Sequence, residues 1–147
     1  MHVAKTVNYI NKLVNHPDIR PTAGGDGFSH VDFSPVFDKI VALEDKGGAW
    51  LFMDEGDGVY EGHYMFLKEY RGKKALEFGR EALDYMFNER GAKRIIGRQP
   101  VENKLASVYN TALGIKKGPE EEVSLEGFTY MAQIFTIDRE DFSCHQH

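Results

Sequence analysis

The most informative segment of the chain runs from Val59 to Leu113 and reads VYEGHYMFLKEYRGKKALEFGREALDYMFNERGAKRIIGRQPVENKLASVYNTAL. It predicts a buried strand, a basic turn, a helix, a second strand and a second helix, in that order. The first helix places small residues, Ala75, Gly79 and Ala82, on one stripe, which allows close packing against a sheet. The pattern indicates strands and helices that alternate in one layered domain.

The turn that joins the first strand to the helix is rich in cations, with Arg71, Lys73 and Lys74 close together. The N-terminus of a helix presents backbone N–H groups without intrahelical partners and a partial positive charge. Gly72 permits the backbone to approach a ligand closely. The turn is therefore predicted to bind a phosphate or pyrophosphate, and the alternative is a solvated basic turn.

Two segments resemble motifs of the GNAT superfamily of N-acetyltransferases. The sequence YRGKKA at residues 70–75 is similar to the loop that binds the acyl-CoA pyrophosphate, whose usual form is Arg/Gln-x-x-Gly-x-Gly/Ala. The second helix is similar to the family's Asn-x-x-Ala-x-x-Tyr helix, with Asn103, Ala106 and Tyr109 in register. The resemblance implies an α+β fold, an α/β sandwich in which helices flank a mixed, mostly antiparallel sheet.

The same resemblance implies direct transfer of an acetyl group from acetyl-CoA to a primary amine, without an acyl-enzyme. It also implies a set of cofactor-binding positions, which are Met65, Phe66 and Leu67 for the pantetheine arm, Arg71, Gly72, Lys73, Lys74 and Ala75 for the pyrophosphate, and Asn103 and Tyr109 on the far wall. Tyr109 is the implied general acid for the leaving thiolate, and the alternative is a core tyrosine. The acceptor amine and the oligomeric state stay open.

The sequence departs from the family pattern at two positions of the loop. Lys74 stands where the family has a glycine, and Leu76 takes its final Gly or Ala position. A second resemblance, which includes the N-terminal helix and the sequence HPDIRP, is to GNAT-like proteins of tailed bacteriophages. It implies an alternative function, a non-catalytic head assembly or virion protein with a degraded CoA site and with capsid or virion proteins as partners. A third interpretation is nucleotide binding at the same turn.

A base is needed because a free amine with a pKa of about 10.4 must lose a proton before it attacks. His63 and Glu61 are the candidates, since they alternate about Gly62 and so point to one face of a strand. Histidine titrates near neutral pH. The alternative for each is a structural, hydrogen-bonded residue.

Bulk properties narrow the class of protein. The 147 residues predict a single domain, with an N-terminal helix and loop over 1–36, a core over 37–138 and a frayed tail over 139–147. A net charge of −5 argues against a general nucleic-acid binder. Cys144 is the only cysteine, no metal-type spacing is present, and no apolar run is long enough for a membrane span. These features predict a cytoplasmic protein without a metal, in the host cytoplasm if a phage encodes it.

The remaining segments are assigned by periodicity. A helix is predicted over 3–15, an irregular segment over 17–35, and an antiparallel meander of strands over 36–44, 49–54 and 59–67. The irregular segment is interpreted as a loop on the substrate side or as a plain connection.

Two expectations concern the C-terminal half. The segment 118–122 is expected to be a solvated loop, and 128–138 a long final strand. The second helix is expected to bury a face that consists of Leu105, Val108, Tyr109, Ala112 and Leu113.

Overall fold

The computed structural model describes residues 1–22, 30–125 and 127–145. Within these residues, seven strands form one mixed sheet in the order β1-β2-β3-β4-β5-β7-β6. The strands are β1 (His2–Val3), β2 (Ile40–Asp45), β3 (Gly48–Gly56), β4 (Val59–Phe66), β5 (Arg94–Pro100), β6 (Lys116–Leu125) and β7 (Phe128–Asp138). The helices are α1 (Asn8–Val14), α2 (Lys73–Asp84), α3 (Lys104–Ala112) and α4 (Arg139–His145). The predicted sandwich with a mostly antiparallel sheet is confirmed.

Short irregular helices complete these elements. There are 3₁₀ turns at Arg20–Thr22, Ser34–Lys39 and Lys68–Tyr70, and a π-helical turn at Tyr85–Glu89 continues α2. In the described part of the chain, no helix has the length and apolar character that crossing a membrane requires. The chain divides into two compact units, Met1–Asp54 with Gly62–Ala82 and Glu55–Glu61 with Leu83–His147.

The N-terminal unit has a core on each face of its strands. On one face, α1 packs against the sheet through a cluster of buried apolar residues, namely Ile10, Leu13, Val14, Ile19, Ala42, Ala49, Leu51 and Met65. On the other face, Trp50 stacks on Phe52 at 5.3 Å between ring centroids, and Tyr64 stacks on Phe66 at 5.7 Å. Because Trp50, Phe52 and Phe66 are buried, these aromatic side chains form the core of this second face.

The C-terminal unit is built on β5 and β7, which pair antiparallel along the whole of β5. The start of β4 pairs parallel to β5, from Val59 with Arg94 to Glu61 with Ile96. The helix after β7 closes the core, because Phe142 is only 4% exposed and its ring lies 5.3 Å from that of Phe87. The expectation of a frayed tail is therefore wrong for Arg139–His145, which form α4.

Other corrections concern segments whose structure depends on a distant partner. The segment 118–122 belongs to β6, which pairs with β7 through an irregularity between Lys117 and Glu120. Gln133 holds this strand from the side, since its Nε2 donates to the Gly118 carbonyl at 2.6 Å. A charged edge strand needs only one neighbour, so its sequence resembles that of a loop.

The N-terminal boundaries also differ from the prediction. Residues His2–Val3 pair with β2 as a short strand instead of starting the helix, and α1 covers only Asn8–Val14. The strand expected over 36–44 begins at Ile40, because Pro35 lies at the start of a 3₁₀ turn over Ser34–Lys39. Of the segment 17–35, residues 23–29 lie outside the described part of the chain.

The first testable prediction concerns Gly48, where β3 passes close to β4. A Cβ atom at Gly48 would overlap the Phe66 ring and lie 2.8 Å from the Met65 carbonyl oxygen. Gly48→Ala is therefore expected to lower the free energy of unfolding by about 2 kcal/mol, as overpacking does. Urea denaturation measures this change. Gly118→Ala is the control, because its Cβ would have no neighbour closer than 3.4 Å, and equal losses in both variants would contradict the close approach.

Candidate functional site

The basic turn leads from β4 into α2 by a change of backbone direction at Gly72. Leu67 and Arg71 are extended, with ψ angles of 151° and 161° on either side of the 3₁₀ turn. Gly72 has a φ of +88°, and a Cβ there would have nothing within 4 Å. Glycine is therefore required by the left-handed backbone and not by a lack of space. α2 begins at the next residue, so its N-terminal N–H groups open at the surface of the turn.

Tyr70 fixes the inner side of this turn to the sheet. Its hydroxyl donates to Asp45 Oδ2 at 2.7 Å, and its ring stacks on Phe66 at 5.9 Å. Gly47 makes room for the ring, since a Cβ there would lie 2.6 Å from it. Burial, together with the hydrogen bond to Asp45, raises the pKa of the Tyr70 hydroxyl. The turn therefore has a rigid base.

Arg71 makes two hydrogen bonds to backbone carbonyls at the base of the turn. Its Nε donates to the Phe66 carbonyl at 3.3 Å, and its Nη2 donates to the Asp18 carbonyl at 3.1 Å. A guanidinium has five N–H donors. Donors therefore remain for an anion, while the two bonds hold the side chain in one place.

Lys73 and Lys74 are exposed and form the first two positions of α2. Their backbone N–H groups have no intrahelical acceptor, because an acceptor four residues earlier lies outside the helix. Ala75 is buried, so it anchors the first turn of the helix. Two ammonium groups and the helix N-terminus thus produce a concentrated positive potential, which is the arrangement that binds phosphate groups.

Residues 65–67, the predicted pantetheine partners, already make backbone contacts within the N-terminal unit. Leu67 N–H donates to the Gly47 carbonyl at 2.9 Å, and the Met65 carbonyl faces Gly48. The Phe66 carbonyl accepts from Arg71 Nε at 3.3 Å. Binding of a pantetheine arm by Met65, Phe66 and Leu67 stays a prediction.

In the C-terminal unit, Asn103 is the N-cap of α3. Its side-chain oxygen accepts from the Ala106 N–H at 3.1 Å. Tyr109 is half-buried on this helix. The expected buried face is wrong in part, because Leu105 and Val108 are 75% and 69% exposed. Leu113 is buried as expected, whereas Ala112 is exposed. Ala106 and Asn110, which were not expected on this face, are also buried.

Glu61 belongs to a charged cluster that the sequence did not reveal. Arg98 on β5 forms a short ion pair with Glu61 and further pairs with Glu55 at 3.1 Å and Glu121 at 3.6 Å. Burial, with the charge of Glu61 nearby, raises the pKa of the Tyr130 hydroxyl. Ile96 is the ladder partner of Glu61, and Arg98 lies two residues after Ile96. Because side chains two residues apart on a strand share a face, this spacing was the signal in the sequence that could have placed Arg98 near Glu61.

The two candidate bases thus have different surroundings. Glu61 is half-buried and paired with a guanidinium, while His63 is exposed on β4 in the N-terminal unit. Among the described residues, no group of three His, Cys, Asp or Glu side chains could hold a metal ion. The assignment of a base to either residue stays a prediction.

A second testable prediction concerns the pH dependence of stability at the base of the turn. Burial tends to raise the pKa of Asp45, but hydrogen bonds from Tyr70 and the Lys46 N–H outweigh it, so the pKa lies below its ordinary value. The carboxylate therefore contributes stability above about pH 4, and this contribution is lost as the pH falls through the lower folded-state pKa. Asp45→Asn is expected to cost about 1 kcal/mol at neutral pH and almost nothing in acid.

Urea unfolding of the wild type and Asp45→Asn at several pH values measures this difference. Tyr70→Phe removes the donor of the same hydrogen bond and is expected to give the same pH profile. A difference that stays constant from neutral to acid pH would show that the Asp45 carboxylate charge does not stabilise the turn.

Comparison with known proteins places the fold. No family model matches this chain, and no curated protein matches it. A mutant form of spermidine N-acetyltransferase SpeG from Vibrio cholerae aligns with a TM-score of 0.73 at 15% sequence identity, over 99% of this chain and 96% of that chain. Ribosomal-protein-S5-alanine acetyltransferase from Vibrio fischeri gives a TM-score of 0.59 at 16% identity, over 71% and 64% of the two chains.

A GNAT-family acetyltransferase from Bacillus anthracis is also similar, with a TM-score of 0.58 at 21% identity, over 69% of this chain and 65% of that chain. The fold is therefore that of the GNAT acetyltransferases. The resemblance that the two sequence motifs carry is confirmed at the level of fold.

Proposed function

We propose that this protein is a GNAT-type N-acyltransferase that moves an acetyl group from acetyl-CoA to a primary amine. The observation that carries the proposal is the basic turn, where Gly72 at a φ of +88° leads into a helix that begins with two exposed lysines. This turn follows β4, and its own sequence, YRGKKA, resembles the loop that binds acyl-CoA. Solved structures with the same fold are acetyltransferases, which supports the proposal.

The residues present fit the phosphate groups of acetyl-CoA. Lys73 and Lys74 are exposed, so the lysine at the family's glycine position adds a cation at the mouth of the turn. Charge-assisted bonds from these side chains and from the helix N-terminus would hold the pyrophosphate. The strand end at Met65–Leu67 would lie along the pantetheine arm, as the motif resemblance implies, and acetyl-CoA supplies the thioester.

The transfer requires a free amine and a proton for the leaving group. In the proposed step, the amine nitrogen forms a bond to the acetyl carbon, the carbon–sulfur bond breaks, and Tyr109 gives the departing thiolate a proton. His63 or Glu61, directly or through water, takes the proton that the amine loses. Holding both reactants on one protein lowers the entropic cost of the encounter.

The experiment that tests the proposal follows release of the CoA thiol from acetyl-CoA in the presence of an amine. The acceptors to compare are spermidine and a peptide with an N-terminal alanine, the substrates that the names of two similar proteins indicate. Thiol release that depends on protein and amine together supports the transferase. The transferase proposal would be contradicted if the protein binds acetyl-CoA but transfers the acetyl group neither to these two amines nor to any in a mixture of other primary amines.

A second candidate function rests on the departures from the motif. Lys74 and the half-buried Leu76 stand where the family has small residues. This difference favours a protein that keeps the fold but no longer binds acyl-CoA. Such a protein would be an assembly factor, with capsid or other virion components as partners. It would show no stabilisation by acetyl-CoA and would co-purify with virion components from infected cells, whereas saturating acetyl-CoA at about 100 times its Kd stabilises an acyltransferase by about 2.7 kcal/mol.

A further inference from the structure

Asp18, in the segment after α1, contacts the start of the basic turn. The Asp18 carboxylate accepts from the Lys68 N–H at 3.1 Å and lies 3.9 Å from the Lys68 ammonium. The Asp18 N–H donates to His16 Nδ1 at 3.0 Å. The contacts with Lys68 join residues that are 50 positions apart in the chain.

The carboxylate of Asp18 serves the 3₁₀ turn as an N-cap would. Leu67 stands at the N-cap position of this turn and gives no side-chain cap, and a leucine side chain has no acceptor to offer. Asp18 supplies that acceptor from a different part of the chain, and its side chain is only 18% exposed. The turn that carries Tyr70 and Arg71 is therefore fixed at its start by Asp18.

The backbone of Asp18 fixes the same turn at its end. Its carbonyl accepts from Arg71 Nη2, while the Phe66 carbonyl accepts from Arg71 Nε. Both partners are neutral, so the guanidinium is held in place by groups that do not cancel its charge. A cation that is already ordered loses less side-chain freedom when an anion binds.

We propose that Asp18 is a positioning residue of the acyl-CoA site, which holds the turn and the Arg71 guanidinium in the orientation that receives the pyrophosphate. The inference rests on the proposed function, because it assigns the ligand of the turn as acyl-CoA. Asp18 acts through Lys68 and Arg71. Removal of its carboxylate leaves the lysines of α2 unchanged but loosens the turn before them.

The test measures the Kd for acetyl-CoA by isothermal titration calorimetry in the wild type, in four single variants and in one double variant. Asp18→Ala is expected to raise Kd about tenfold, the effect of disordering one long side chain and its turn. Asp18→Asn keeps an acceptor for the Lys68 N–H and is expected to stay within about threefold of the wild type. Asp38→Ala is the matched control, an exposed aspartate of the same unit, and should leave Kd unchanged.

Arg71→Lys completes the design, because an ammonium keeps the charge but loses the planar fork that bridges two carbonyls. If Asp18 acts through Arg71, the double variant Asp18→Ala/Arg71→Lys will bind no more weakly than the worse single variant. Additive losses would overturn the inference, as would a Kd in Asp18→Ala equal to that of the wild type. Asp18→Glu, which displaces the carboxylate by one methylene, replaces Asp18→Ala in the cycle if the alanine variant does not fold.

The failure of this inference is distinguishable from failure of the proposed function. If the wild type binds acetyl-CoA and Asp18→Ala binds it with the same Kd, only the role of Asp18 is contradicted. A wild type that does not bind acetyl-CoA contradicts both.

Discussion

Reversing the charge of Lys73 and Lys74 together is expected to weaken acetyl-CoA binding by at least about 100-fold. Each charge-assisted bond to a phosphate contributes about 1.5–3 kcal/mol, and about 2.7 kcal/mol corresponds to two factors of ten. The substitution also places two carboxylates at the site where the pyrophosphate should sit. We therefore expect Lys73→Glu/Lys74→Glu to produce the largest loss of affinity of any change in the turn.

This double variant should remain folded, which separates binding from stability. Both lysines are exposed at the first two positions of α2, and acidic side chains at a helix N-terminus interact favourably with its dipole. Thermal unfolding without ligand should therefore show no loss. Lys12→Glu/Lys39→Glu is the matched control, with the same change of net charge at exposed lysines of the same unit. Equal affinities in the two double variants would exclude the turn as the phosphate site.

Tyr109→Phe is expected to lower kcat about 100-fold, with the KM for acetyl-CoA within about threefold of the wild type. The reason is that proton donation by a positioned side chain contributes a factor of about 10² to 10⁴. Removal of one hydroxyl oxygen leaves the ring and its packing in place. Steady-state kinetics with the accepted amine measures this separation of kcat from KM.

The control for this prediction removes a hydroxyl elsewhere in the same unit. Tyr85 is half-buried in the π-helical turn after α2, and Tyr85→Phe should leave kcat unchanged. If Tyr109→Phe changes only the unfolding midpoint and not kcat, Tyr109 is a core tyrosine, and the proton for the thiolate comes from another group or from water.

Several features of the fold depend only on the conformational preferences of a few neighbouring residues. The hairpin between β3 and β4 has positive φ angles at Gly56, Asp57 and Gly58, which these residue types tolerate. Asn103 caps α3 because its side chain reaches its own helix. Gly114 ends that helix with a φ of +84°. No distant residue is needed for any of these outcomes.

The face of α3 was mispredicted because the helix carries two candidate apolar stripes. Leu105 and Val108 form the more hydrophobic one, yet they are exposed, while Asn110 is only 2% exposed. Periodicity identifies stripes but does not say which one meets the sheet. The choice depends on the length of the turn before the helix and on the fit of small side chains against their neighbours.

Some features of the candidate site depend on adjacent residues, and others depend on contacts between distant residues. The cations, Gly72 and the helix start were evident from adjacent residues, so the basic turn was predicted. The two carbonyls that hold Arg71 were not, because one belongs to Asp18, which is 53 positions away. The ion pairs of Arg98 likewise join β5 to residues from three other strands. Contacts of this kind follow from topology and not from local sequence.

Calorimetric titration of the purified protein with acetyl-CoA shows whether the turn from Tyr70 to Ala75 binds an acyl-CoA. We expect saturable binding of one acetyl-CoA per chain with a Kd between about 1 μM and 1 mM, the range of typical enzyme substrates. ATP in the same titration should bind more weakly. No binding at millimolar acetyl-CoA, or tighter binding of ATP than of acetyl-CoA, would contradict the account.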